Sequence, residues 1–450
     1  MVTRVSRRRK KVPQGVFEIT IDSFSHDGRG VGRIDNKAVF VHGALPGEIV
    51  AFTYERGCRR YDEGRLHHVL HPSPHRVEPF CPHFDLCGGC ALQHMEPGAQ
   101  LAYKEQTLLD ALQRLGKVMP QRILPRLSGL DRGYRGKARL GVRYVIKKER
   151  ILVGFREKRS SFLADIATCP VLHPAVGDLL EPLSALVRGL SVYRSVPQIE
   201  AAVGDEGPAL VFRHLEPLLP QDLAALGRFA TEKNVRIFLQ PGGEDSVSLL
   251  GAGPAELSYT HPAFGCTLFF RPTDFIQVNG RLNRALVERA VDLLAPGCHD
   301  RVLDLFCGIG NFTLPLATRA GQVVGVEGDA ALVARARTNA EKNALTNTDF
   351  HVADLFAPDD NALWAQGKFD LVLVDPPRSG AMEVLPVLAA TGAGRIVYVS
   401  CNPATLARDA GHLVHDHGFT LAAAGVADMF PHTAHVESIA LFEKTVGFRM

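Results

Sequence analysis

The sequence predicts an α/β chain in three parts: a small β-barrel near the N-terminus, a central α+β segment, and a C-terminal doubly wound parallel sheet. Three observations predict it. Beyond about residue 265, apolar strand-like runs alternate with helical runs, the pattern of a crossover-connected parallel sheet. Between residues 12 and 70, five short strand candidates are punctuated by Gly28, Gly30, Gly43, Pro46 and Gly47, as in a small barrel. Between these regions, Cys81, Cys87 and Cys90 crowd together in a chain of 450 residues with only nine cysteines. The expected division is 1–11 as a basic arm, 12–70 as the barrel, 71–262 as the central domain and 263–450 as the doubly wound domain.

Bulk composition narrows the function classes. A hydrophobic content of 46% supports real cores, and a net charge of +3 says little by itself. The charge is unevenly spread. Arg4, Arg7, Arg8, Arg9, Lys10 and Lys11 form one basic block and residues 132–148 another, which suits a polyanion partner, although a solvated face or tail reads the same way. No run reaches the roughly 20 apolar residues of a membrane span, and the charged start lacks a secretory apolar stretch. A cytoplasmic monomer without membrane contact is expected. In that reducing compartment clustered cysteines suit a metal better than disulfides.

In chain order, the barrel strands are expected at 16–22, 32–34, 38–41, 48–54 and 63–66, presenting one face to nucleic acid. Gly28-Arg-Gly-Val-Gly32 and Leu45-Pro-Gly-Glu48 resemble the TRAM domain, an RNA-binding OB-like module. Cys81-Pro-His-Phe-Asp-Leu-Cys87-Gly-Gly-Cys90 follows, with C-x5-C-x2-C spacing and two glycines that let backbone wrap a bulky ligand. A fourth thiolate would close a zinc site or a four-iron cluster, and Cys169, before Pro170, is the best candidate. Zinc sites usually pair two C-x2-C knuckles. The missing second knuckle tilts the reading to [4Fe-4S].

A helix is expected over 103–115. Then Arg135, Lys137, Arg139, Gly141 and Arg143 alternate with small and apolar residues, so one strand face is basic, with Tyr134 and Tyr144 nearby. That face suits phosphate contact and base stacking, though any exposed strand can show the pattern. Residues 175–262 alternate short helices and strands without a functional motif.

The doubly wound domain opens with a helix over 280–294. Its first strand ends in Asp304-Leu-Phe-Cys-Gly-Ile-Gly-Asn311, where Gly308 and Gly310 clear room for a ligand beside a helix N-terminus. Thr313 stands where a dinucleotide fingerprint wants its third glycine, which disfavours NAD. Glu327 closes the second strand, placed for ribose hydroxyls; Asp354 closes the third, placed for the adenine amino group; Asp375-Pro-Pro-Arg378 closes the fourth. Acids ending successive strands suit S-adenosylmethionine, which carries a sulfonium and two hydroxyls but no phosphate.

After the fifth strand comes Ser400-Cys-Asn-Pro403. Pro403 suits the first turn of a helix, which leaves Cys401 at the carboxyl edge of the sheet, where ligands gather and a helix N-terminus favours thiolate. Taken alone, Cys401 would more commonly be an inert buried thiol. A methyltransferase needs a thiolate for one kind of acceptor, a pyrimidine C5, which becomes nucleophilic only after addition at C6. A base must then take the C5 proton. Glu437, on a strand expected beside that of Cys401, is the candidate; an exposed strand acid is the bland reading. No histidine or lysine neighbours Cys401 in sequence.

Together with Phe275-Ile-Gln-Val-Asn279 and His432-Thr-Ala-His-Val-Glu437, these motifs resemble the class I RNA 5-methyluridine methyltransferases over nearly the whole chain. The TRAM-like module and the cysteine cluster make the resemblance strongest to bacterial enzymes methylating a 23S rRNA uracil; the related tRNA enzymes commonly lack both. The resemblance implies a Rossmann-like catalytic domain, Cys401 as nucleophile and Glu437 as base. It implies that Gln277, Phe306, Asn311, Glu327, Asp354 and Asp375 line the S-adenosylmethionine pocket, and that Cys81, Cys87, Cys90 and Cys169 hold [4Fe-4S] in a structural or RNA-docking role. The partner is a flipped uracil in folded RNA. The same chemistry on tRNA or another rRNA uracil, and a non-catalytic RNA-binding or assembly factor, are the alternatives.

Overall fold

The computed structural model describes residues 12–359 and 361–444; the basic arm lies outside the described residues. The chain forms two compact units, Met1–Tyr103 with Pro431–His435, and Lys104–Phe430 with Val436–Met450. The expected boundary at residue 70 does not separate them, so the cysteine loop at 81–90 falls in the first unit and Cys169 in the second.

The first unit is built on six strands, β1 (Phe17–Thr20), β2 (Ser23–Phe24), β3 (Gly30–Ile34), β4 (Lys37–His42), β5 (Ile49–Gly57) and β6 (Tyr61–His71), in the order β1-β5-β6-β4-β3-β2. Alternating Ile19, Val39, Val41, Val50 and Phe52 form its core. Gly32 is required where β3 crosses β1, because a Cβ there would stand 2.2 Å from the Thr20 carbonyl oxygen. Glu48, fully buried, organises the loops. Its carboxylate accepts from the amides of Leu45 (2.8 Å) and Ser73 (3.2 Å) and from Arg76 through Nε (2.5 Å) and Nη2 (2.8 Å). Arg76 Nη2 also donates to the Gly43 carbonyl at 2.7 Å. The Leu45-Pro-Gly-Glu48 motif is thus a loop lock.

A helix, α1 (Pro97–Ala111), starts six residues earlier than the periodicity suggests, at a proline suited to the first turn, and widens into a π-helical turn at Leu112–Gly116. In the second unit, β7 (Arg122–Ile123), β8 (Lys137–Val145), β9 (Arg150–Gly154), α2 (Pro174–Gly177), α3 (Leu180–Arg188), β10 (Gln198–Gly204), β11 (Gly207–Arg213), α4 (Pro220–Lys233), β12 (Arg236–Gln240) and β13 (Ser248–Leu249) precede a hairpin of β14 (Leu257–His261) and β15 (Cys266–Phe270). Strands β13-β12-β11-β10-β8-β9 form one sheet. On β8 the burial alternates as expected, but the basic face is largely engaged. Lys137 reaches Glu200 of β10 at 2.9 Å, Arg139 reaches the same carboxylate at 3.5 Å, and Arg135 Nε donates to the Lys137 carbonyl at 3.1 Å. Tyr134 is buried, so it offers no stacking face.

The C-terminal part follows the predicted alternation: α5 (Gly280–Leu294), β16 (Arg301–Leu305), α6 (Thr313–Ala317), β17 (Gln322–Glu327), α7 (Ala330–Lys342), β18 (Thr348–Val352), β19 (Leu371–Val374), α8 (Leu385–Ala390), β20 (Arg395–Ser400), α9 (Pro403–His415), β21 (Phe419–Ala427) and β22 (Glu437–Lys444). The sheet order is β18-β17-β16-β19-β20-β22-β21-β7. The first five are mutually parallel, and β22 is antiparallel to both β20 and β21. Strands β16, β19 and β20 are almost uninterrupted apolar runs because both faces are covered. Order reverses between β16 and β19, so their carboxyl ends open a crevice. The β14–β15 hairpin, with Phe270 and Leu257, packs on α7 through Val333 and Ala336.

Replacing Glu48 by Ala strands the Arg76 guanidinium and two loop amides, and should cost about 3 kcal/mol of folding stability; chemical denaturation of the two proteins measures it.

Candidate active site

The crevice is floored by acids. Asp304, at the end of β16, is wholly buried; one oxygen accepts from the Thr313 hydroxyl at 2.5 Å and the other has no partner among the described residues. Burial, with lesser contributions from Asp375 and Glu327, pushes its carboxyl up to about 8. The chain then turns through Phe306, held at φ 62°, into Gly308 and Gly310, at φ 54° and 93°. A Cβ at Gly308 would point into open space, so this turn forms the near wall of a cradle. Glu327 frames it from β17, accepting from the amides of Gly308 (3.2 Å), Gly328 (2.7 Å) and Asp329 (3.1 Å).

The other expected pocket residues divide. Asp354 accepts from the Phe356 amide at 2.9 Å and borders a cavity of about 420 Å³ walled by Phe350, Ala357, Leu363 and Trp364; Glu327 does not line that cavity. Phe306 packs on Phe356, ring centres 5.8 Å apart. Gln277 is half-buried between β15 and α5, and no hydrogen bond among the described residues ties it to the acids. Asn311 is held by protein groups. Its carbonyl oxygen accepts from Asn283 Nδ2 (2.8 Å), the Tyr259 hydroxyl (3.0 Å) and His261 Nε2 (3.2 Å), and its Nδ2 donates to Asn283 at 3.0 Å. The hairpin and α5 thereby fasten the glycine turn.

The remaining residues meet at the crevice's far edge. The β20–β22 ladder ends with Ser400 opposite Ser438, and Cys401 and Glu437 are the next residues along their two chain segments. Cys401 leaves the strand just before α9, which Asn402 caps by accepting from the Ala404 amide at 3.1 Å. The residues after Asp375 fold onto this turn: the Arg378 carbonyl accepts from Asn402 Nδ2 (2.9 Å) and the Thr405 hydroxyl (3.2 Å), and Arg408 donates to the Ser379 carbonyl at 2.9 Å. That clamp holds Arg378 close enough to Cys401 for its charge to act on the thiol.

Electrostatics here differ from the expected helix-favoured thiolate. Burial, with the charge of Glu437 next, pushes the Cys401 thiol up; Arg378 opposes both. Glu437 is itself buried, not the exposed strand acid of the bland reading, and burial plus Asp375 holds its carboxyl well above the ordinary range, again opposed by Arg378. Burial raises Asp375 to about 7. Arg378 is the cation that sequence reading missed; its place in Asp375-Pro-Pro-Arg378 was the available signal. Asp304 was passed over in the same way. No group of three or more His, Cys, Asp and Glu side chains is placed to hold a metal among the described residues. Cys81, Cys87, Cys90 and Cys169 are half-buried, form no disulfide, and the Gly89 amide points at Cys87 Sγ at 3.4 Å.

Residues 298–416 match a methyltransferase domain and residues 14–57 a TRAM domain. The 23S rRNA (uracil(1939)-C(5))-methyltransferase RlmD of Alkalilimnicola ehrlichii is 53% identical over 441 residues, covering 98% of this chain and 99% of its own length. The chain belongs to the 23S rRNA (uracil-C5)-methyltransferase family. The Methylococcus capsulatus relative of the same name is 52% identical over 438 residues, covering 97% of this chain and 99% of its own. Among solved structures, the tRNA (uracil-54, C5)-methyltransferase of Pyrococcus abyssi, in complex with S-adenosyl-L-homocysteine, superposes with a TM-score of 0.73 at 25% identity, covering 94% of this chain and 99% of its own. Family membership and the methyltransferase domain together make the chain an S-adenosylmethionine-dependent enzyme.

Arg378 is the group favouring the ionised thiol, so Arg378→Gln should move the iodoacetamide reactivity of Cys401 to higher pH and slow alkylation at neutral pH; mass spectrometry of the modified peptide across a pH series reads both.

Proposed function

We propose that this chain transfers a methyl group from S-adenosylmethionine to C5 of a uracil in 23S rRNA, with Cys401 as nucleophile and Glu437 as base. What supports the reading is the β20–β22 ladder, which ends at Ser400 opposite Ser438, next to Cys401 and the buried Glu437, together with the charges of Glu437, Arg378 and Asp375 that act on the Cys401 thiol. The residues fit the cofactor: an Asp304 oxygen with no partner among the described residues, the open cradle at Gly308 and the Glu327 carboxylate line one crevice. S-adenosylmethionine supplies an electrophilic methyl group on a positive sulfonium, whose charge favours ionisation of the buried acids.

Cys401, ionised beside Arg378, adds to C6 of the flipped uracil and the electron pair moves to C5 and O4. C5 takes the methyl group as the sulfur–methyl bond breaks. Glu437, ionised, removes the C5 proton, the C6–sulfur bond breaks, and the thiolate returns. No net electrons move. A carboxyl with a raised proton affinity is a stronger base once ionised. Gln277, Phe306, Asn311, Asp354 and Asp375 complete the proposed pocket, with Asn311 acting through the glycine turn it fastens. The greater identity to rRNA than to tRNA enzymes favours rRNA over the tRNA reading.

Cys401→Ala should abolish methylation while leaving cofactor binding intact. Glu437→Gln should instead trap a covalent protein–RNA adduct, seen as a denaturation-resistant band; substantial turnover in the first variant, or no adduct in the second, reassigns the role concerned.

Cys81, Cys87 and Cys90, with Cys169 as the expected fourth thiolate, are the residues we assign to [4Fe-4S]. The all-thiolate donor set and the amide directed at Cys87 Sγ suit such a group, and its part is structural because methyl transfer needs no redox step. Anaerobically purified protein should contain iron and acid-labile sulfide in equal amounts, and Cys90→Ser should lose both; iron-free protein would overturn the assignment.

A further inference from the structure

The central sheet carries a cationic and aromatic cluster at the end of β8 that the catalytic crevice does not use. Tyr144, near the end of that strand, meets Tyr193, from the segment between α3 and β10, edge to face with ring centres 5.1 Å apart. Two guanidiniums share both rings. Arg188 lies 5.4 Å from the Tyr144 ring centre and 4.7 Å from that of Tyr193; Arg194 lies 5.1 and 5.4 Å away. Both arginines are exposed, as are Arg143 and Lys147, while the two tyrosines are half-exposed. Ile146, at the tip of the following turn, is 76% exposed.

What sets this patch apart is its charge balance. Around it several cations are matched: Lys137 and Arg139 by Glu200, Lys148 by Asp165, Arg150 by Asp165 and Glu181. Arg143, Lys147, Arg188 and Arg194 have no carboxylate partner among the described residues; Glu149, exposed in the adjoining turn, is the one acid beside them in sequence. Two guanidiniums held over the same pair of rings repel each other, and among the described residues no carboxylate pairs with either; only the ring faces attract them. A polyanion would offset the repulsion. Planar guanidinium and phenol faces are also the surfaces on which unstacked bases sit, and arginine donors suit phosphate geometry.

We propose that Tyr144 and Tyr193, with Arg143, Lys147, Arg188 and Arg194, form an RNA-docking site distinct from the catalytic crevice, holding a single-stranded or looped rRNA segment by stacking and phosphate contact. The inference rests on the rRNA reading for its ligand. It assigns a role to residues between 175 and 262 that carry no recognisable motif.

The test uses the full-length protein and two RNAs: a long 23S rRNA fragment and a minimal hairpin carrying the methylated uracil. Arg188→Ala/Arg194→Ala should weaken binding of the long fragment roughly tenfold and lower the salt dependence of log affinity by about one to two. Tyr193→Leu should weaken it by at least about fivefold at unchanged salt slope. Arg188→Lys/Arg194→Lys should retain the salt slope while losing part of the affinity, which a merely structural role would not produce. Cofactor affinity should match the parent in all of them, confirming folding. Neutralising two charges on α4, Arg228→Ala/Lys233→Ala, controls for net charge. Parent-like RNA affinity and salt slope in the double alanine variant would overturn the proposal, whether or not the patch then captures a protein; so would an equal loss in the α4 control. Methylation of the hairpin by the parent protein tests the catalytic reading separately, since a failure there leaves the binding comparison intact.

Discussion

Asp409, fully buried on α9, accepts from the Tyr398 hydroxyl of β20 at 2.6 Å and from the Ala381 amide at 2.8 Å, while Arg408 donates to its other oxygen at 2.8 Å. Three pieces of chain meet there: the strand that delivers Cys401, the helix that follows it, and the loop that carries Asp375 and Arg378. Without that carboxylate a buried hydroxyl and a buried amide would each lose a partner, at about 1–3 kcal/mol apiece. Gly380 shows how closely the loop is drawn in, since a Cβ there would come within 2.6 Å of Asp409 and Arg408 and the backbone sits at φ 85°. The contact between Arg378 and Cys401 depends on this fastening.

The buried acids impose the opposite tendency. Asp304, Asp375 and Glu437 are desolvated near one another, with Glu327 adding charge to Asp304, and burial raises all three. Such a cluster costs stability in the empty protein and gains from any cation that enters. Arg378 offsets only part of it. The proposed cofactor carries its charge at the reacting sulfur, so the same electrostatic strain that weakens the empty fold would favour binding and methyl transfer.

Much of this was readable from residue order. Parallel strands buried on both faces are continuous apolar runs, so β16, β17, β19 and β20 stand out, and the acids at their ends follow from where ligands sit in such sheets. That the strand carrying Glu437 lies beside the strand leading to Cys401 was legible because β22 had few places to go. Local patterns failed where a partner came from far along the chain. Arg139 and Lys137 look like a free basic face until Glu200, about sixty residues on, lies beside them. Asn311 shows the same reach, its oxygen accepting from Tyr259, His261 and Asn283, none of which its local sequence announces. Strand β2, two residues long, has no periodicity to detect.

The ladder between β20 and β22 runs from Arg395 opposite Glu443 to Ser400 opposite Ser438 without a break, whereas β22's other ladder, with β21, carries an irregularity between Leu421 and Ala423. A one-residue slip turns a strand's side chains to the opposite face. Insertions and deletions that β21 absorbs harmlessly would, in β20 or the start of β22, point Glu437 away from Cys401. The molecule therefore has a tolerant seam and an intolerant one on the two edges of a single strand, and length drift between related chains should accumulate on the β21 side.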